Sequence, residues 1–135
     1  MTTELMYLVL VALLTGSLWI PVVIGYVRTR GPITPEAYRG APTDPLPPWV
    51  NRANRAHLNA VESFAPFAAV VLAGQVLGVH TAVTATCAAV YFWARLVHAV
   101  VHVSGFGQFR ARTVLFTVGW LAFVVDALAV LQRAL

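Results

Sequence analysis

The sequence has no lysine and a single cysteine, and only 10% of its 135 residues are charged. An ordinary globular domain carries roughly 25% charged residues, so a soluble fold of this size could not cover its surface. One thiol excludes an internal disulfide, and Cys87, inside an apolar run, reads as a small packing residue. Metal-ligand clusters are also missing. His98 and His102 are offered no third ligand at suitable spacing, which argues against a metal site. The opening Met1-Thr2-Thr3-Glu4 is acidic where a signal peptide is basic. The apolar run behind it is therefore expected to be retained as a membrane span.

What is present is hydrophobic: 59% of the chain. The apolar runs predict an all-α membrane protein in which a single domain, 1–135, holds four transmembrane helices at about 5–27, 54–79, 81–103 and 113–132. Pro21 lies near the end of the first and is expected to kink it, which lipid-embedded helices tolerate. A tight turn near Gly78-Val79-His80-Thr81 makes the second and third helices antiparallel neighbours. The segment 28–53 differs in kind. Pro32, Pro35, Pro42, Pro45, Pro47 and Pro48, with Gly31 and Gly40, exclude a continuous helix there and predict an extended loop on one membrane face.

The net charge of +4 comes from arginine alone, and the arginines stand mainly in the gaps between apolar runs. That placement is expected of loop anchors at a membrane and argues against nucleic acid, which is met by a basic stripe on a soluble face. Arg28, Arg30, Arg39, Arg52 and Arg55 precede or open the second helix, Arg110 and Arg112 precede the fourth, and only Arg133 lies at the other end. The positive-inside rule then puts both arginine-rich loops in the cytoplasm and both termini on the non-cytoplasmic side.

Polar groups at bilayer depth are costly, and each asks for a reason. Arg55, Asn59 and Glu62 are spaced i, i+4, i+7 and share one face of the second helix, with His57 pointing elsewhere. Arg95, His98 and His102, spaced i, i+3, i+7, share one face of the third at the same membrane level. One reading is structural: Glu62 neutralises Arg55 or Arg95 and the network holds helices together. The other is a cytoplasm-facing cavity for an anionic ligand, favoured by arginine excess, because uncompensated guanidinium groups beside lipid need a carboxylate, phosphate or water. Asp126, in the fourth helix near the opposite face, is given no function. A cation exporter of four short helices would need a carboxylate in its first helix, and the first apolar run, from Leu5, has none.

Arg55-Ala-His57-x-Asn59-x-x-Glu62 followed by Pro66 resembles the second-helix signature of the MAPEG family, the membrane-associated proteins of eicosanoid and glutathione metabolism. Arg95-x-x-His98, the Pro-containing first loop and the basic loop leading through Arg112 agree over essentially the whole chain. The short, Arg-only, Ala/Val-rich composition is similar to a bacterial-type member, hence an inner-membrane protein. The resemblance implies a homotrimer that binds glutathione as co-substrate between subunits, at the cytoplasmic end. It implies glutathione contacts from Arg55, Asn59 and Glu62, from Arg95 and His98, and from Arg30 or Arg28 to a carboxylate. Arg112 matches the arginine that stabilises the glutathione thiolate, with Arg110 as the alternative match. A guanidinium beside a thiol lowers its pKa and raises the nucleophile fraction.

Two positions depart from the pattern. His102 stands where glutathione-using members commonly have a tyrosine, and Phe116 stands where several place another. His102 retains hydrogen-bonding capacity towards a ligand; Phe116 has none. The loop Ser104-Gly105-Phe106-Gly107-Gln108-Phe109 is also about a residue longer than the family pattern, which leaves the Arg110/Arg112 match open. Two functions stay in view. The first is a glutathione transferase or peroxidase acting on lipophilic electrophiles or hydroperoxides, with Arg112 catalytic. The second is a non-catalytic member that binds a lipid or small anion, or serves as accessory subunit of a membrane complex.

Overall fold

The computed structural model of the chain describes residues 1–39, 45–107 and 110–134. Residues 40–44 of the proline-rich loop, with Gly40 and Pro42, and Gln108-Phe109 of the loop before the last helix lie outside the described residues. The elements run α1 (Thr3–Ser17), α2 (Trp19–Arg30), a short 3-10 turn (Pro35–Tyr38), α3 (Pro48–Val76), α4 (Ala82–Ser104) and α5 (Ala111–Ala134). Among the described residues, four helical stretches are long and apolar enough to cross a membrane: Thr3–Arg30, Pro48–Val76, Ala82–Ser104 and Ala111–Arg133.

The first stretch is divided at Leu18, between α1 and α2. Pro21 explains the position: it has no N–H for the Ser17 carbonyl, and its ring crowds that same group. The Ser17 hydroxyl bonds back to Leu13 O at 2.7 Å, a contact that further favours a bend. Thr2 caps α1, accepting from Leu5 N at 3.3 Å. Glu4, which the apolar run beginning at Leu5 leaves outside the first span, is in the first turn of α1 and buried. The statement that the first helix has no carboxylate is therefore corrected.

Helix α3 starts at Pro48, earlier than its polar opening suggests. Proline is tolerated at the first helical position, because that N–H has no intrahelical partner anyway. The turn after α3 is a Schellman motif: Val79 N bonds Gly74 O at 2.8 Å and Gly78 N bonds Gln75 O at 3.3 Å. Gly78 supplies the left-handed residue this needs, with φ 68°. Thr81 and Thr84 then exchange side-chain and backbone hydrogen bonds to start α4, so a reversal in lipid leaves few backbone groups unpaired.

Helix α4 packs against α1, α3 and α5. The core joins Leu8 and Val11 of α1, Phe67 and Val71 of α3, Ala88 and Tyr91 of α4, and Ala122 of α5. Phe67 and Tyr91 stack with ring centroids 3.9 Å apart. Outward faces carry large apolar side chains such as Leu13, Leu72, Val100, Leu121 and Leu128, which suit a lipid surround. Helices in lipid associate by close packing and hydrogen bonding rather than by exclusion of water. Small residues therefore mark contacts. Gly25 of α2 is buried against α3, where an added Cβ would overlap Val50 and lie 2.8 Å from the Trp49 ring.

Gly25→Ala should destabilise the protein by roughly 1–3 kcal/mol through overpacking, read as a lower thermal midpoint in detergent. Gly16→Ala, where no neighbouring atom lies within 4 Å, should instead hold or raise the midpoint, because alanine favours helix. Equal losses in both variants would contradict the packing assigned to Gly25.

Candidate functional site

A cavity of about 260 Å³ opens between α3, α4 and α5, lined on its polar side by Asn59, Glu62 and Arg95 and on its apolar side by Tyr91, Phe116 and Trp120. Its shape begins with the backbone of α3. Pro66, on the cavity wall, has no N–H for the Glu62 carbonyl. One turn earlier the Ser63 hydroxyl bonds back to Asn59 O at 2.8 Å. The Tyr91 hydroxyl donates to Ser63 O at 2.7 Å and ties α4 to this irregular turn.

Arg95 is the centre of the arrangement and is only 6% exposed. Its Nη1 donates to Asn59 Oδ1 at 3.1 Å. Its guanidinium carbon lies 5.1 Å from the Tyr91 ring centroid and 4.8 Å from that of Phe116. Aromatic faces attract a cation, more so when it is desolvated. They do not replace a hydrogen-bond acceptor, however, and the buried Arg95 Nε has none. Among the described residues Glu62 forms no ion pair with Arg95 or Arg55, so the structural reading in which it neutralises one of them is corrected. The amide of Asn59, not a carboxylate, accepts from Arg95, and Glu62 lines the same cavity without pairing with it.

His98 is buried and His102 half-buried, with ring centroids 5.5 Å apart. The His98 ring lies 6.2 Å from Phe116. The charges of Arg95 and Arg112 reach His98, and those of Arg112, Arg55 and Arg52 reach His102. Arg55 and Arg112 are themselves exposed, and neither lines the cavity. Arg110 is exposed too and has φ 51°, the one positive value among described non-glycine residues; such a conformation is uncommon for a residue with a side chain. Arg30, at the end of α2, lies 4.8 Å over the Tyr26 ring. His57 is half-buried, and its Nδ1 has no hydrogen-bond partner.

The structure thus brings Asn59, Glu62 and Arg95 to one cavity, sets His98 and His102 along the same face of α4, and leaves Arg55, Arg110 and Arg112 exposed. Tyr91 was missed by motif reasoning, although it precedes Arg95 by one helical turn on the same face. Arg52 was also missed as a contact. Its Nε donates to Val103 O at 3.2 Å, satisfying a carbonyl at the end of α4. A Cβ on the following Gly105 would sit 2.9 Å from that guanidinium.

The family model described as MAPEG family matches residues 5–132. No curated protein matches the chain. With four membrane-length helices and a match over nearly its whole length, the chain belongs to the MAPEG family and is an integral membrane protein built as a helical bundle.

Proposed function

We propose that the protein is a membrane-embedded glutathione transferase/peroxidase-like protein acting on lipophilic electrophiles or hydroperoxides. The observation that carries this reading is the cavity where Asn59, Glu62 and the partly unpartnered Arg95 face an aromatic wall. Family membership supports an involvement in glutathione or eicosanoid metabolism in general. Glutathione has two carboxylates, an ammonium group and a thiol. The free donor capacity of Arg95 suits a carboxylate, Glu62 suits the ammonium, and Asn59 suits a peptide group. The aromatic wall suits an apolar second substrate that arrives from the bilayer.

At about 260 Å³ the cavity falls just short of the roughly 300–1,000 Å³ of typical small-molecule sites. A homotrimer, as the resemblance implies, would enlarge it with a neighbouring subunit's residues. Arg30 or Arg28, Arg55, Arg110, His98 and His102 would complete the glutathione contacts. The arginine-rich end would face the cytoplasm of a bacterial inner membrane, and both termini the other side.

Arg112 would act on the thiol. Its charge favours the thiolate, whose sulfur attacks an electrophilic carbon as the leaving group departs with its electron pair, or as the electron pair of an activated double bond moves onto the substrate and is later protonated. With a hydroperoxide the sulfur attacks the terminal oxygen, the O–O bond breaks and the alcohol leaves after protonation. A second glutathione then converts the sulfenic acid to disulfide and water. Phe116 provides no hydroxyl for the sulfur, so this role would rest on Arg112 or its neighbour Arg110.

Calorimetry on the detergent-purified oligomer should show saturable glutathione binding, weakened roughly tenfold to a hundredfold in Arg95→Ala, as expected for a lost charged hydrogen bond. Absence of binding at millimolar glutathione would end the transferase reading.

Arg112→Ala should lower turnover of a lipophilic electrophile by roughly 10²–10³, as for loss of one group stabilising a developing or fixed anion, while binding changes much less. Equal losses in binding and turnover would move Arg112 from catalysis to binding.

The second reading, a non-catalytic binder of a lipid or small anion or an accessory subunit of a membrane complex, is favoured by one observation. Phe116, not a tyrosine, covers Arg95. It predicts an Arg95-dependent affinity for an anionic lipid and no thiol binding, a pattern that the same calorimetry would reveal.

A further inference from the structure

A second set of buried polar side chains lies at the other end of the bundle, where α1 and α4 begin and α3 and α5 end. Glu4 is 6% and Asp126 2% exposed. Thr84 Oγ1 donates to Glu4 Oε1 at 2.6 Å, and it accepts from Thr81 N at 2.9 Å. Thr2 donates from Oγ1 to Gln75 Oε1 at 3.1 Å. Asp126 Oδ2 is buried and has no hydrogen-bond partner. Glu4, Gln75, Thr84 and Asp126 line one small cavity with Val79 and His80. Its volume, about 10 Å³, is close to the minimum that admits one water-sized occupant.

The charges do not balance. Two carboxyl groups face this cavity, and among the described residues neither forms an ion pair. His80 lines the cavity but is exposed, and Arg133, two turns beyond Asp126 on α5, is exposed as well. Buried carboxylates without a counter-charge are costly in a membrane protein and require a proton, a cation or a basic partner. The polar lining side chains other than His80 offer oxygen, from two carboxylates, a hydroxyl and an amide. That is a hard ligand set suited to alkali and alkaline-earth ions. Among the described residues no group of three or more His, Cys, Asp and Glu side chains is placed to hold a metal ion. A divalent ion would thus lack carboxylates, whereas a small monovalent ion needs fewer charges and fits a space for one occupant.

We propose that the cavity between Glu4 and Asp126 binds a single monovalent cation of the sodium class. The ion joins α1, α3, α4 and α5 at the end of the bundle remote from Arg95, and binding there is independent of the glutathione reading. It accounts for the unpartnered Asp126 oxygen and for two acids buried side by side.

The test is thermal unfolding of the full-length protein in detergent, with sodium chloride titrated against choline chloride at constant ionic strength. The midpoint should rise by several degrees with sodium and saturate, as for a ligand that binds only the folded state, and should not rise with choline. Asp126→Asn keeps the side-chain shape and removes the charge, and it should abolish the sodium dependence whatever its own midpoint. Glu4→Gln should do the same. A wild-type midpoint identical in the two salts overturns the proposal and assigns neutralisation of the pair to protons. A sodium-dependent rise that survives in both variants overturns it too. So does stabilisation by micromolar calcium without any by sodium, because the site would then be divalent.

Discussion

A guanidinium held inside a membrane helix is the constraint on which the arrangement of this bundle depends. Arg95 is buried well inside α4, too far along the helix to act as a simple interfacial anchor. The protein surrounds it with partial solutions: the Asn59 oxygen, two aromatic faces and a cavity. Each comes from a different helix or turn, so satisfying one charge positions α3, α4 and α5 together. The solution stays incomplete at Nε. A carboxylate in place of Asn59 would have closed the network as a structural ion pair; among the described residues the amide leaves Arg95 and Glu62 as two unpaired, oppositely charged groups on one cavity wall.

The irregular turn of α3 belongs to the same arrangement. Pro66 removes one helical hydrogen bond and Ser63 competes for another carbonyl. In lipid such losses are tolerated where neighbouring side chains supply partners or where the backbone lines a cavity. Both conditions hold here. Tyr91 donates to Ser63 O while stacking on Phe67, so one residue of α4 connects the core to the cavity wall and helps to hold Arg95. The aromatic packing and the polar site are parts of one structure.

How much of this was legible in the sequence differs from element to element. Hydropathy marks the four spans because each carries a nearly uninterrupted apolar window. It marks the start of α3 poorly, because Arg52, Asn54, Arg55 and His57 lower hydropathy in residues that are nonetheless helical. The i, i+4, i+7 spacing places Asn59 and Glu62 on one face, and both do line the cavity with Arg95. The same spacing groups Arg55 with them, yet Arg55, one turn nearer the start of α3, does not line the cavity. Trp120 could not be singled out as a cavity residue, and Phe116 was marked only by the family resemblance. In an apolar helix surrounded by lipid, an aromatic residue facing a cavity and one facing acyl chains look the same in sequence.

The pairing of Glu4 with Asp126 shows a different limit. Each acid stands out against its apolar surroundings, but their proximity depends on how the first and last helices meet α4, which no local pattern records. Once folded, the bundle has an arginine-rich end and an end with two buried acids, with the apolar core of Leu8, Val11, Phe67, Val71 and Ala88 between them. Such an arrangement places the two polar sets in different cavities with apolar packing between them, so no hydrogen bond or ion pair joins them among the described residues. Hydrogen-bond partners must therefore be found locally at each end, while the low dielectric of the core lets the opposite charges of the two ends still feel one another. Three helices reach both cavities: α3 with Glu62 and Gln75, α4 with Arg95 and Thr84, and α5 with Phe116 and Asp126, so a rigid shift of any of them would be felt at both ends.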